Sequence, residues 1–199
     1  MELRTYILID SMQPQFAALT GILLQGDVPV EGMAEVFMEL APASDVYDVL
    51  DTALKTADVR PGLLRVEREY GTLEIHSAFQ EAVQVAGQNA LARFGLTESD
   101  RMTPQVVSVK MVSKVNPYEA QLVNQTSRGG LLLAGQTLCV MEIAPAAYVW
   151  LAANEAEKAA NITLVNYQPS GRYGRLYIAG RDSDVRVGQE AAVQAIKSI

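Results

Sequence analysis

The sequence predicts an α+β protein built from two tandem copies of one domain, each an antiparallel sheet with helices on one face. Three observations carry this. Residues 38–42 read MELAP and residues 141–145 read MEIAP. The match continues in register at a shift of 103 positions (141 − 38). Both copies also run through the same order of apolar runs and helical periodicities.

Comparing residues 32–75 with 135–178, 14 of 44 positions are identical without a gap: Gly32, Met38, Glu39, Ala41, Pro42, Ala43, Val46, Ala53, Lys55, Ala57, Tyr70, Gly71, Leu73 and Ile75. Unrelated segments agree at about one position in fifteen. The period is too long for a solenoid, whose repeats run about 20–50 residues. Two domains are expected, at residues 1–98 and 103–199. The polar stretch LTESDRMTP, ending in proline, joins them.

Each element follows in order. RTYILIDSMQPQFAALTG and PQVVSVKMVSKVNPYEAQLVN form a preamble to the copies, and Val107, Val109, Met111 and Val112 suggest a strand in the second. AEVFMELA and TLCVMEIA are short apolar runs that read as buried strands. Pro42 and Pro145 fall where a helix would start, with Ser44 as a cap in the first copy. Val46, Leu50, Ala53, Leu54 and Ala57 recur at helical spacing, as do Val149, Ala153, Ala156 and Ala160. LLRVE with GTLEIH, and ITLVNY with GRLYIAG, form strand pairs around Gly71 and Gly174. EAVQVAGQNALARF and DVRVGQEAAVQAIKS close the copies as helices.

Composition narrows the function. Of 199 residues, 49% are hydrophobic and 20% charged, enough to bury a sizeable core. A net charge of −7 and a pI near 4.8 argue against nucleic acid, which demands clustered Lys and Arg. The single cysteine, Cys139, excludes an internal disulfide and a multi-cysteine metal site, and its apolar run LCVMEI marks it as a small buried hydrophobe. No apolar stretch reaches the ~20 residues that span a bilayer. The N-terminus carries acidic residues and no signal-peptide pattern, so a cytoplasmic protein is expected. His76, alone among histidines, alternates with Glu74 and Ala78 and reads as a partly exposed strand residue. No nucleophile–base pair, metal set, GxGxxG or P-loop spacing can be assembled, so no enzyme activity and no cofactor are expected. Trp150 and Tyr148 are read as packing residues rather than a stacking platform.

The stretch VMEIAPAAYVWLAANEAEKAANITLVNYQPSGRYGRLYIAGRD resembles the shell-forming domain of bacterial microcompartments. Met141–Pro145, Lys158–Asn161, Ile162–Tyr167 and Gly171 match that family's pattern, and Arg181–Asp182 fits its end loosely. The first copy is more diverged but keeps MELAP, Lys55, Ala57 and Tyr70–Gly71. Since both copies match, the chain is similar to the tandem-domain shell proteins. The preambles resemble the elements that the circularly permuted subclass carries ahead of each domain.

The resemblance implies two ferredoxin-like domains, permuted, that assemble as a homotrimer with six domains around a pseudo-sixfold axis. Such a head-to-tail ring encloses a central channel. By analogy, the channel is lined by Glu67, Arg68 and Glu69 from the first copy and Ser170, Gly171 and Arg172 from the second. Double-stacking permuted members carry a Glu–Arg gate that resembles the first set. The structural alternative is a solvated turn. Lys55 and Lys158 match an edge lysine that packs against the neighbouring tile, or each simply complements its helix C-terminus. The implied partners are further copies (single or stacked trimers), hexameric and pentameric shell proteins, encapsulated enzymes and small metabolites, with no nucleic acid and no lipid membrane. The implied location is the microcompartment shell in the cytoplasm. A trimeric small-molecule sensor of ferredoxin-like fold is the competing reading.

Overall fold

The computed structural model describes residues 1–199 and divides them into two compact units, Met1–Met102 and Thr103–Ile199. The first unit contains β1 (Glu2–Ile9), α1 (Pro14–Leu23), β2 (Ala34–Ala41), α2 (Asp45–Thr56), β3 (Arg60–Glu67), β4 (Tyr70–Ser77) and α3 (Gln80–Ala92). The second repeats this as β5 (Gln105–Val112), α4 (Pro117–Thr126), β6 (Thr137–Ala144), α5 (Val149–Ala159), β7 (Thr163–Gln168), β8 (Gly174–Gly180) and α6 (Asp182–Lys197). Each unit forms one four-stranded antiparallel sheet, ordered β1-β2-β4-β3 and β5-β6-β8-β7.

The duplication extends to the irregularities. Bulges fall between Leu3 and Thr5 and between Pro61 and Leu63, and again 103 residues later between Val106 and Ser108 and between Leu164 and Asn166. The Ala41–Pro42 and Ala144–Pro145 peptides are both cis. Bulges are specific features that redirect a strand, so their coincidence marks a shared architecture rather than shared composition.

The helix pair of each repeated core packs on one sheet face. In the first unit Val36, Met38, Leu40, Leu73 and Ile75 alternate onto the face covered by Val46, Val49, Ala53, Val83 and Ala86 of α2 and α3. In the second, α6 lies over Ile178, where a Cβ on Gly188 would touch its side chain. Each preamble holds a helix, α1 or α4, besides its strand. Ala120 of α4 packs with Leu138, Val165 and Ala179 on the opposite sheet face. The corresponding face in the first unit, with Ile7, Ile9, Glu35, Phe37 and His76, is also buried, and the segment after α1 hydrogen-bonds to it.

This second covering layer overturns one expectation. His76 is fully buried, not partly exposed. Three smaller readings also change. The helices begin later than Pro42 and Pro145: α2 at Asp45, and α5 at Val149 after a 3-10 turn at Ala146–Tyr148. Ser44 makes no capping hydrogen bond because its backbone is already helical (φ −65°, ψ −22°), whereas a cap residue is extended. Leu54 is 42% exposed, and Val49 takes its place in the buried stripe of α2. Cys139, Tyr148 and Trp150 are buried, with Trp150 edge-on to Tyr167 at 5.3 Å. Burial pushes the Cys139 thiol up to about 12, so it is inert at neutral pH.

Candidate functional site

The proposed channel residues fall at the tips of equivalent hairpins. β3 and β4 pair down to Glu67 opposite Tyr70, leaving Arg68 and Glu69 as a two-residue turn. Arg68 has φ 56°, a left-handed conformation usual for glycine in such turns. Glu67, Arg68 and Glu69 are all exposed. In the second unit β7 and β8 pair out to Gln168 opposite Arg175, and the loop 169–173 carries exposed Ser170, Gly171 and Arg172. Gly171 has φ 96°, so glycine is required there by the backbone rather than by crowding.

The residue after each hairpin tyrosine is glycine for a different reason. A Cβ on Gly71 would collide with the Ala43 carbonyl oxygen, and one on Gly174 with that of Ala146. The chain leaving Pro42 or Pro145 presses directly on the start of β4 or β8. This contact places the helix start beside the hairpin end of each unit. α2 then runs 12 residues, about 18 Å at 1.5 Å per residue, away from that end. Lys55, in its last turn, therefore stands at the far end, where β3 begins its return. Lys158 occupies the matching position on α5. The two groups of predicted residues are thus not brought together: loops sit at one end of each unit and lysines at the other.

Lys55 is 73% exposed and pairs with Asp51 at 2.7 Å one turn earlier, and Lys158 lies 3.9 Å from Glu155. Both ion pairs lie within one helix and leave outward-facing charge.

The repeated glutamate of the MELAP and MEIAP strands also lies at the hairpin end. Glu39 accepts a hydrogen bond from Arg4 Nε at 2.7 Å, and the Arg4 guanidinium stacks 3.9 Å from the Tyr70 ring centre. Burial raises the Glu39 carboxyl and Arg4 opposes that rise. Glu142 finds a different arginine, Arg175 on β8, at 2.9 Å. Sequence reasoning missed Arg4, although the recurring Tyr70–Gly71 and Tyr173–Gly174 pairs mark the place. His76, the other missed group, binds Glu74 at 2.9 Å and Asp27 at 3.0 Å on the sheet face opposite α2 and α3.

The two units are thus one α+β domain written twice in register, with hairpin tips that have diverged in sequence. The family model described as the CsoS1D N-terminal domain matches residues 3–100, and the BMC domain model matches residues 137–199. The chain belongs to the tandem BMC-domain shell proteins of bacterial microcompartments, in their permuted form.

Within that family it is similar to the carboxysome shell protein CcmP of Synechococcus elongatus, at 42% identity over the whole chain and 93% of the relative. It is also 40% identical to the carboxysome shell protein CsoS1D of Hydrogenovibrio crunogenus, over the whole chain and 98% of the relative. Among solved structures, the fused permuted hexameric shell protein MSM0275 from the RMM microcompartment superposes with a TM-score of 0.96 at 38% identity, covering all of this chain and 98% of the other. The double ringed trimeric shell protein MSM0271 gives 0.95 at 36%, covering all of this chain and 97% of the other. The role is a structural one in a shell, and the sensor reading is set aside. No helix is long and apolar enough to cross a membrane.

Proposed function

We propose that the chain forms a homotrimeric, pseudohexameric shell tile whose two kinds of hairpin alternate around a central pore. The observation that carries this is the polarity of each unit, with a variable exposed hairpin at one end and a recurrent exposed lysine at the other. Six such units in a closed head-to-tail ring bring every hairpin to the axis and every lysine to the rim. Three copies of Glu67-Arg68-Glu69 then alternate with three of Ser170-Gly171-Arg172. Like charges crowded on an axis repel unless paired, so glutamate and arginine from neighbouring protomers close the opening by pairing and widen it by separating. Small metabolites cross there, and the tile performs no chemistry of its own. Lys55 and Lys158 face neighbouring hexameric tiles, with pentameric shell proteins completing the shell and enzymes enclosed within it, in the cytoplasm.

Light scattering after size exclusion tests the assembly. A mass three times 21.6 kDa is expected for one ring, and six times for two stacked rings. A monomer or dimer at micromolar concentration contradicts the tile.

A further inference from the structure

We propose that Arg4 is the positioning residue for the first unit's hairpin, and that the second unit's loop has no such brace. Arg4 lies on β1, the strand at the opposite edge of the sheet from β3, and reaches the hairpin base through its side chain. Its guanidinium covers the Tyr70 ring at 3.9 Å while Nε donates to Glu39 at 2.7 Å. Its Nη1 also approaches Met102 Sδ at 3.6 Å, and its backbone carbonyl accepts from Met102 N at 3.2 Å. Tyr70 is the residue immediately after the turn Arg68–Glu69, opposite Glu67, so whatever holds its ring restrains the backbone that carries the three charged side chains. The Arg4 side chain is 17% exposed and that of Glu39 6%, which fixes the planar guanidinium between carboxylate and ring with little water to compete.

The duplication supplies an internal control. At the position of Arg4 the second unit has Val107, which is 45% exposed. The Tyr173 ring meets instead the guanidinium of Arg172, from the same loop, at 5.2 Å. Glu142, on β6, pairs instead with Arg175 of β8, directly across the strand pair. One hairpin is therefore tied by a side chain to the far edge strand, and the other, through Arg175, to the adjacent strand β6. The bearing of this on passage through a pore rests on the tile reading, but the brace itself does not.

Hydrogen exchange by mass spectrometry on the full chain tests it, with assembly mass recorded in parallel. Tyr70→Leu removes the ring and leaves the Arg4–Glu39 pair, and Arg4→Met removes the cation. Both are expected to speed exchange of amides 66–70 roughly two- to fivefold, the range of a cation–π contact at a partly exposed site. Amides 169–174 should be unchanged. Arg4→Lys, which keeps a cation over the ring, should recover part of the protection. Unchanged exchange at 66–70 in both Tyr70→Leu and Arg4→Met overturns the proposal. So does a uniform rise throughout residues 1–102, which would mean that Arg4 only stabilises the fold. A variant with normal mass and a loosened hairpin upholds the brace, whereas loss of the ring in the wild-type chain would strike the tile reading alone.

Discussion

His76 Nδ1 lies 2.9 Å from Glu74 Oε1, two residues earlier on the same face of β4, and both side chains are fully buried. Asp27 closes the other ring nitrogen at 3.0 Å and also meets Arg60 at 3.3 Å, while Gly62 N donates to the second Glu74 oxygen. Cross-strand from His76 stand Glu35 on β2 and Arg60 on β3. Burial disfavours the charged ring, but hydrogen bonds and charge from Glu74 and then Asp27 outweigh it, so His76 titrates above its usual value. Burial likewise raises Glu74, against the pull of His76.

A histidine with a raised folded pKa contributes stability that is complete below its unfolded value of about 6.5 and is lost as pH rises through the folded value. Thermal denaturation should therefore show the first unit weakening as pH rises above about 6.5, the second much less. The duplicate carries Tyr177 and Ala179 at these sites. The double change Glu74→Tyr, His76→Ala should abolish the pH dependence at little cost, since a buried ion pair replaced by apolar groups is often neutral. His76→Ala alone should cost about 3 kcal/mol by leaving buried charge unpaired. Equal alkaline slopes for wild type and double variant would refute this.

Arg68→Gly relieves a left-handed residue at the hairpin turn. A non-glycine residue there costs about 1 kcal/mol, and glycine's greater unfolded freedom offsets part of the gain. The variant should melt at or slightly above the wild-type temperature while removing three positive charges from the proposed ring. A drop of several degrees would mean that the Arg68 side chain holds the fold together.

Gly71→Ala and Gly174→Ala should each destabilise by about 3 kcal/mol, because a backbone carbonyl, unlike a side-chain tip, cannot step aside. Chemical denaturation of both variants checks this, and near-wild-type midpoints would show that the strand-to-helix junction is looser than described.

Lys55→Ala and Lys158→Ala remove exposed ion pairs that contribute well under about 1 kcal/mol. Melting temperature and assembly mass should hold, while extended sheets seen by negative-stain microscopy should be lost. Intact sheets from the double variant would remove these lysines from the tile edge.

Much of this architecture was legible because it is written twice: a weak strand signal at 34–41 becomes secure when 137–144 repeats it. The loops were placed the same way, by their position between matched strands. What escaped has a physical cause. α1 and α4 lack a readable stripe, since Ile22 is 54% exposed beside buried Leu19, and of α4 only Ala120 is buried while Tyr118 and Leu122 face outward. Their one shared signal, proline at the first helical position in Pro14 and Pro117, was available. Missing those helices hid the second covered face of each sheet, so the polar Glu74–His76 alternation suggested solvent where there is a buried ion cluster. Arg4 escaped because its partners are 35 and 66 residues away, and such a pairing is set by strand order, not by local pattern.

The proposed tile brings the hairpins together at an axis and sets the lysines at its rim. Spin labels placed singly at Glu69→Cys and Lys55→Cys, in a Cys139→Ala background, test it directly through pulsed electron resonance distances in the purified assembly. The label-to-label distance at position 69 is expected to be clearly shorter than that at position 55. Equal distances, or the shorter one at 55, would contradict it.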